Sequence, residues 1–138
     1  PCRTTAAEAR QRGCFFDIIS FSWLAPPCWD TELSEAFDHF ACEWFIDSDK
    51  TQRVSHAHAM MEDYGGLFIN EEYHTRHCAA MWLKMQQVVL GVGKRAIDSY
   101  IAEMSHTDHS LKVLLERESR LDVLDTIILL SFPHCRLV

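Results

Sequence analysis

The sequence predicts one small, mainly α domain spanning residues 1–138, braced by disulfides and carrying a short strand near its C-terminus. Three observations lead there. A length of 138 residues fits a single compact domain, and 48% hydrophobic against 24% charged residues leaves enough apolar surface to bury a core. Apolar residues recur at helical spacing behind recognisable caps, most clearly after Asp30 and after Asn70. The six cysteines, Cys2, Cys14, Cys28, Cys42, Cys78 and Cys135, are spread over the whole length, as in a disulfide framework made in an oxidising compartment.

Residues 1–29 read as an arm, with a short helix from Thr5 to Gln11 and then irregular chain, because the Pro26-Pro27 step disfavours regular structure. The apolar series from Phe15 to Leu24 should lie against the core. Residues 30–138 form the helical core. Asp30 is an N-cap, Glu32 sits in the first turn where the dipole favours acid, and Leu33, Phe37, Phe40, Trp44 and Phe45 make a stripe, predicting a helix that ends near Ile46. Residues 47–66 are polar and close on Gly65-Gly66, with a short helix from Ser55 to Asp63. The strongest helix starts at Asn70, with Glu71 and Glu72 in its first turn, and stops at Gly91. Residues 94–104 read as helical, and Ser105 with Asp108 makes a capping box that starts a further helix to about Glu118. Thr126, Ile127 and Ile128 supply the strand, which Pro133 closes.

Charge and missing motifs exclude several functions. A formal charge of −7, with only 13 scattered Lys and Arg, gives no positive field for nucleic acid. GxSxG, a glycine-rich phosphate loop and HExxH are all absent, which removes common hydrolase, nucleotide and zinc-protease chemistries. There is no CxxC for a thiolate zinc site, and six cysteines permit fifteen pairings that sequence does not choose among. No run of 18 apolar residues spans a membrane. The chain opens at Pro1 rather than Met, so a signal peptide or membrane anchor is expected upstream.

The histidines, eight in number, are the unusual feature of the composition. His74 and His77 are three apart near one helix start, and His106 and His109 repeat that spacing near another, within two HTxH strings. Side chains three apart on a helix share a face, so packing the two helix starts together would turn four imidazoles toward one volume. An all-nitrogen set suits copper, zinc, iron or nickel and does not suit calcium or magnesium. If Cys78 is oxidised it cannot be a ligand. Tyr73, Trp82 and Tyr100 read as core and Arg76 as facing water or pairing with an acid, with lining of a substrate pocket as the alternative for each, Tyr73, Arg76 and Tyr100 foremost; Met81, Met85 and Met104 read as core filler. His56 and His58 read as solvent-facing, with an accessory ligand role on a lid as the sharper alternative. His39 and His134 read as ordinary, locally bonded histidines.

These strings resemble the UstYa-like fungal oxidases of mycotoxin and ribosomal-peptide biosynthesis, over nearly the whole chain. The arm from Thr5 to Arg10 with Gly13-Cys14 and Phe16-Asp17, the Trp23-Leu24 and Pro27-Cys28 strings, and Asp30 to Phe37 carry part of the likeness. Tyr64 to Phe68, His74 to Cys78 with Trp82, and His106 to His109 followed by Leu114-Leu115, Asp125-Thr126 and Cys135 carry the rest. The resemblance implies metal ligation by His74, His77, His106 and His109, with one or two copper ions. It implies oxidative cyclisation, hydroxylation, desaturation or halogenation of a small-molecule or peptide natural product. It also implies a lumenal domain on a single-pass N-terminal anchor. Ser110 departs from it, standing where the second HxxHC motif has its cysteine, so Cys42 becomes a substitute partner for Cys78. Two other readings stand beside this one. The first is a cyclase or isomerase without metal, or with zinc, whose histidines act as acid and base. The second is a non-catalytic accessory subunit, with a homodimer as one form.

Overall fold

The computed structural model of the chain describes residues 2–61, 64–93, 96–116, 122–124 and 126–137. Thr5 caps α1 (Ala6–Gln11), its hydroxyl accepting from the Glu8 amide, and the Cys2–Cys14 disulfide closes the chain around this helix. The chain beyond α1 is not an irregular arm. β1 (Phe15–Asp17) and β2 (Ser22–Leu24) pair antiparallel, and the Asp17 carboxylate fixes their turn by accepting from the Ile19 and Ser20 amides and the Ser20 hydroxyl. An aspartate bonding the backbone two or three residues on sets a turn in place of a helix. Phe21 leaves that turn at φ 49°, a left-handed conformation costly for a bulky residue, and full burial of its ring holds it there.

Asp30 caps α2 (Thr31–Ala36) through the Leu33 amide, as its position predicts, but the helix stops at Ala36 instead of near Ile46. The Asp38 carboxylate accepts from the Phe40 amide, a local bond that competes with helical pairing. Trp44–Phe45 becomes β3 instead. In chain order there follow β4 (Arg53–Val54), α3 (His56–Ala59), β5 (Gly66–Ile69), α4 (Glu71–Leu90), β6 (Ala96–Asp98), α5 (Met104–Leu115), β7 (Thr126–Leu129) and β8 (Cys135–Leu137). The main sheet has the order β4-β3-β5-β7, antiparallel throughout, and β6 pairs with β8. Ser131 stitches the β1–β2 hairpin to the C-terminal segment, its carbonyl accepting from Trp23 and its amide donating to Phe21.

The mainly α expectation, and with it a helical core over 30–138, is therefore overturned. Among the described residues helix covers 38% and strand 20%, in three antiparallel sheets, and only two of the five helices reach seven residues, so the chain is a mixed α/β fold. The β3, β5 and β7 residues are mostly aromatic or β-branched, and pairing them across the chain overrides local helical pattern. The stretch read as helix over 94–104 is also corrected, although Lys94 and Arg95 lie outside the described residues. Ala96–Asp98 is strand, and the Asp98 carboxylate then accepts from the Tyr100 and Ile101 amides in a turn.

α4 has the expected ends, with Asn70 accepting from the Tyr73 amide and Gly91 left-handed at φ 66°. The Asn70 side chain also accepts from Glu43 and donates to Ala41, so the cap fastens β3 to α4. α5 begins at Met104 and its N-cap, Glu103, makes no side-chain cap bond, so the Ser105 box is not what starts it. Its expected end at Glu118 lies outside the described residues, as does Asp63, the expected end of α3. No described helix is long and apolar enough to cross a membrane.

The six-cysteine framework is reduced to two bridges. Cys2 pairs with Cys14 and Cys28 with Cys135, while Cys42 and Cys78 are buried free thiols. Cys42 is not the substitute partner of Cys78: it lies by Arg76, Glu72 and Asp38, whereas Cys78 lies by Ser110. Two disulfides place the folded chain in an oxidising, secreted or lumenal environment. Cys28–Cys135 spans 107 residues and Cys2–Cys14 only 12, and the entropy removed from the unfolded chain grows with loop length. Replacing Cys28 and Cys135 together by Ala should lower the unfolding free energy by about 5 kcal/mol, against about 3 kcal/mol for the shorter bridge, measured by urea denaturation.

Candidate metal centre

The Asn70 cap and the uninterrupted 20-residue run of α4 put His74 and His77 on one face of that helix. α5 carries His106 and His109. The helices run antiparallel, because the rings match in reverse order. His74 Nε2 lies 2.9 Å from His109 Nε2, and His77 Nε2 lies 3.3 Å from His106 Nε2. Each pair takes one ring from each helix, so the two histidines of one HxxH string do not face each other. Among the described residues no three or more His, Cys, Asp or Glu side chains converge as ligands of one ion. The four rings thus form two facing pairs rather than one four-nitrogen centre.

The outer nitrogens explain why the inner ones face each other. His77 Nδ1 stands 2.6 Å from the Ile19 carbonyl, which can only accept, so the neutral ring carries its proton on Nδ1 and presents a lone pair at Nε2. His74 Nδ1 has the Glu71 carboxylate at 3.6 Å and the Thr126 hydroxyl at 3.5 Å. His74 and His77 are buried, His106 is half-buried and His109 is exposed. Burial pushes His77 down to about 4, the Ile19 carbonyl opposing and His106, His74 and His109 lowering it further. Burial, and then His109, also lowers His106. Both rings are therefore neutral near pH 7.

Facing lone pairs repel unless a proton or cation stands between them. Two nitrogens each about 2.0 Å from one ion, at right to tetrahedral angles, are about 2.8 to 3.3 Å apart. The observed separations of 2.9 and 3.3 Å match that span, so the donor set fits a nitrogen-loving transition metal.

No family model, characterised protein or solved structure matches the chain. What the site can do is therefore decided by its own surroundings. A cavity of about 300 Å³ opens on His74, His77 and His109, walled by Ser20, Tyr100, Thr126 and β7. Tyr100 does stand there, its ring 4.4 Å from His106. Tyr73 also borders this cavity, although its side chain is fully buried and its hydroxyl, bonded to the Ile18 and Ile19 carbonyls, braces the hairpin. Arg76 pairs with Glu72 and, at 3.5 Å, with Asp38, away from this cavity.

His56 stacks on His39 at 3.8 Å, remote from the four rings in the contact pattern. His58 lies on α3, and the His134 backbone bonds to Ser99. Trp82 is exposed and Met104 more so, so neither belongs to the core, while Met81 is buried. Met81, Trp82 and Met85 line an apolar cavity between α4 and α5 that contains none of the imidazoles. Sequence reasoning missed Ser20, the Ile19 carbonyl and Glu71; of these only Glu71, three residues before His74, left a spacing signal.

Ser110, buried on α5, lies against the Cys78 thiol, and its hydroxyl makes no other hydrogen bond among the described residues. Burial raises the Cys78 thiol and pushes Cys42 up to about 12. The native protein should therefore leave both thiols unreacted with a thiol reagent at pH 8 and yield two per chain once unfolded. The Ser110→Cys variant, oxidised and then unfolded, should yield one. The pH dependence of the protein follows from His77. Its folded value of about 4 lies below the ordinary value near 6.5, so between these limits the unfolded chain takes up a proton that the folded chain does not. Stability is full above about pH 6.5 and falls by about 3 kcal/mol as pH drops to about 4, measured by denaturant unfolding of metal-free protein. His77→Gln should flatten that slope.

Proposed function

We propose that the chain is the lumenal domain of a copper-dependent oxidase of the UstYa-like kind, acting on a small-molecule or peptide natural product. The observation that carries this reading is the pair of cross-helix Nε2···Nε2 separations, 2.9 and 3.3 Å. The matching HTxH strings and the oxidising environment that the two disulfides indicate are in keeping with it. His74, His77, His106 and His109 would hold one or two ions, and copper bound there supplies one-electron chemistry toward oxygen.

The chain's own residues do the rest. Ile19 fixes the outer nitrogen of His77 so that the inner one donates. Tyr100, Ser20 and β7 wall the cavity in which a substrate group sits beside the rings. The anchoring of the full-length protein on a membrane belongs to the same proposal, drawn from the family resemblance.

A second reading draws on the same 2.9 Å contact, which is also the length of an N–H···N hydrogen bond. In it the His74–His109 pair shares a proton and acts as acid and base without metal.

Elemental analysis of the purified protein separates the two. Stoichiometric copper is expected, with His74→Ala, His77→Ala, His106→Ala and His109→Ala each weakening copper binding by at least about tenfold in titration calorimetry. Zinc or no metal in the wild type, with turnover that survives chelation and exclusion of oxygen, would overturn the oxidase in favour of acid–base catalysis.

A further inference from the structure

One line of aromatic rings links the histidine centre to the protein surface at Phe40. From His77 the next ring is Tyr73, 6.2 Å away between centroids and almost parallel at 11°. Trp44 follows at 5.6 Å from Tyr73, and His56 at 5.8 Å from Trp44. His56 stacks on His39 at 3.8 Å, and His39 on Phe40 at 4.9 Å, where Phe40 is 88% exposed. Trp44 is itself 2% exposed yet forms part of the wall of an open surface pocket of about 450 Å³ under His39 and His56. Electron exchange between side chains falls steeply with distance, and no gap between rings in this series exceeds 6.2 Å.

We infer that Trp44 is an electron relay, passing single electrons through the Tyr73 ring to the histidine centre and taking them back from a small one-electron donor of the ascorbate class at the surface pocket. The inference rests on the redox-metal reading of the four histidines. It adds to that reading a route by which a surplus oxidising equivalent leaves the site without consuming its ligands.

The roles of the two rings follow from their hydrogen bonds. Tyr73 donates its hydroxyl proton toward the Ile18 and Ile19 carbonyls, neither of which can take the proton away. A tyrosine ordinarily loses its proton with its electron, so Tyr73 bridges and is not a stopping point. Trp44 Nε1 has no hydrogen-bond partner among the described residues, so the indole gives up an electron and keeps its proton, standing briefly as a radical cation. Hydrogen peroxide takes two electrons and two solvent protons as its O–O bond breaks to give two waters; one electron would come from the histidine-held metal and one from Trp44, and the donor then returns one electron to the Trp44 cation. No bond is made or broken in the protein.

The test uses the full chain loaded with copper, its copper content measured first, then mixed with hydrogen peroxide and freeze-quenched for electron paramagnetic resonance. A tryptophan radical is expected, reduced at least tenfold in Trp44→Phe and unchanged in Tyr73→Phe, which keeps the ring and loses only the hydroxyl. Peptide mass mapping should show added oxygen on the peptides carrying His74, His77, His106 and His109 rising in Trp44→Phe, and ascorbate should quench the wild-type radical. Because Trp44 is a core residue, the double variant Trp29→Phe/Trp82→Phe serves as the second arm, and it should retain the full signal. Copper bound without a tryptophan radical, or a radical that persists in folded Trp44→Phe or disappears in the double variant, would overturn the relay while leaving the metal reading intact. Failure to bind copper at all would instead defeat the reading it rests on.

Discussion

The Ile19 carbonyl oxygen receives two hydrogen bonds, from His77 Nδ1 at 2.6 Å and from the Tyr73 hydroxyl at 2.9 Å. Both donors stand on one face of α4, and the acceptor stands in the turn of the β1–β2 hairpin. That junction locks the N-terminal hairpin to the longest helix. It also dictates which nitrogen of His77 faces α5. If the hairpin turn moved, His77 would lose both its orientation and its preferred tautomer, and the contact with His106 would lose its chemical meaning. The Asp17 carboxylate secures the turn by accepting from two amides and the Ser20 hydroxyl. A buried acid with no ionic partner in its own turn is thus tolerated because several donors surround it.

The other side of the site is held by a different buried charge. Lys84 on α4 and Asp98 at the end of β6 form an ion pair at 3.3 Å, their side chains 4% and 1% exposed. Such a pair adds little net stability over apolar packing, but losing one partner strands the other in a dry interior. Its effect here is positional. Asp98 uses its second oxygen to accept from the Tyr100 and Ile101 amides, which sets the turn that aims Tyr100 at His106 and packs Ile101 into the core. The hairpin therefore orients the α4 rings, while the Lys84–Asp98 pair orients the phenol that borders the α5 rings.

How far this was legible from sequence varied with the range of the interactions involved. α4 was readable because its caps act within three residues: Asn70, Glu71 and Glu72 at one end and Gly91 at the other. The sheet was not, because Gly66–Ile69 meets Thr126–Leu129 across some sixty residues and each segment alone is only four long. The apolar stripe from Leu33 to Phe45 fits a helix by period, and only the Asp38–Phe40 bond and the pairing of Trp44 with Ile69 and Val54 decide otherwise. The four histidines stood out through their repeated spacing. Their partners did not, since reverse-order matching depends on two helices packing antiparallel. The Ile19 carbonyl was invisible because a backbone oxygen has no letter in the sequence. Arg76 was readable as a partner of an acid, since Glu72 is four residues away, but its contact with Asp38 required the fold.

Ser110 bears on how firmly the two histidine helices are joined. It is buried against Cys78 at the α4–α5 contact, and nothing covalent crosses there. The neighbouring packing is incomplete as well, with an apolar cavity of about 170 Å³ among Met81, Trp82, Met85, Ile101 and Leu111, comparable to cavities of about 150 Å³ that hold a small apolar guest. α5 also begins without a side-chain cap, and its His109 is exposed. The position of His106 and His109 thus depends on side-chain packing alone, against rings on α4 that are fixed by Ile19 and Glu71. A cation gripped between the facing nitrogens would join the two helices near the point where a disulfide is missing, and its binding energy would appear directly as resistance to unfolding. Ion binding and helix docking would for that reason be one equilibrium rather than two.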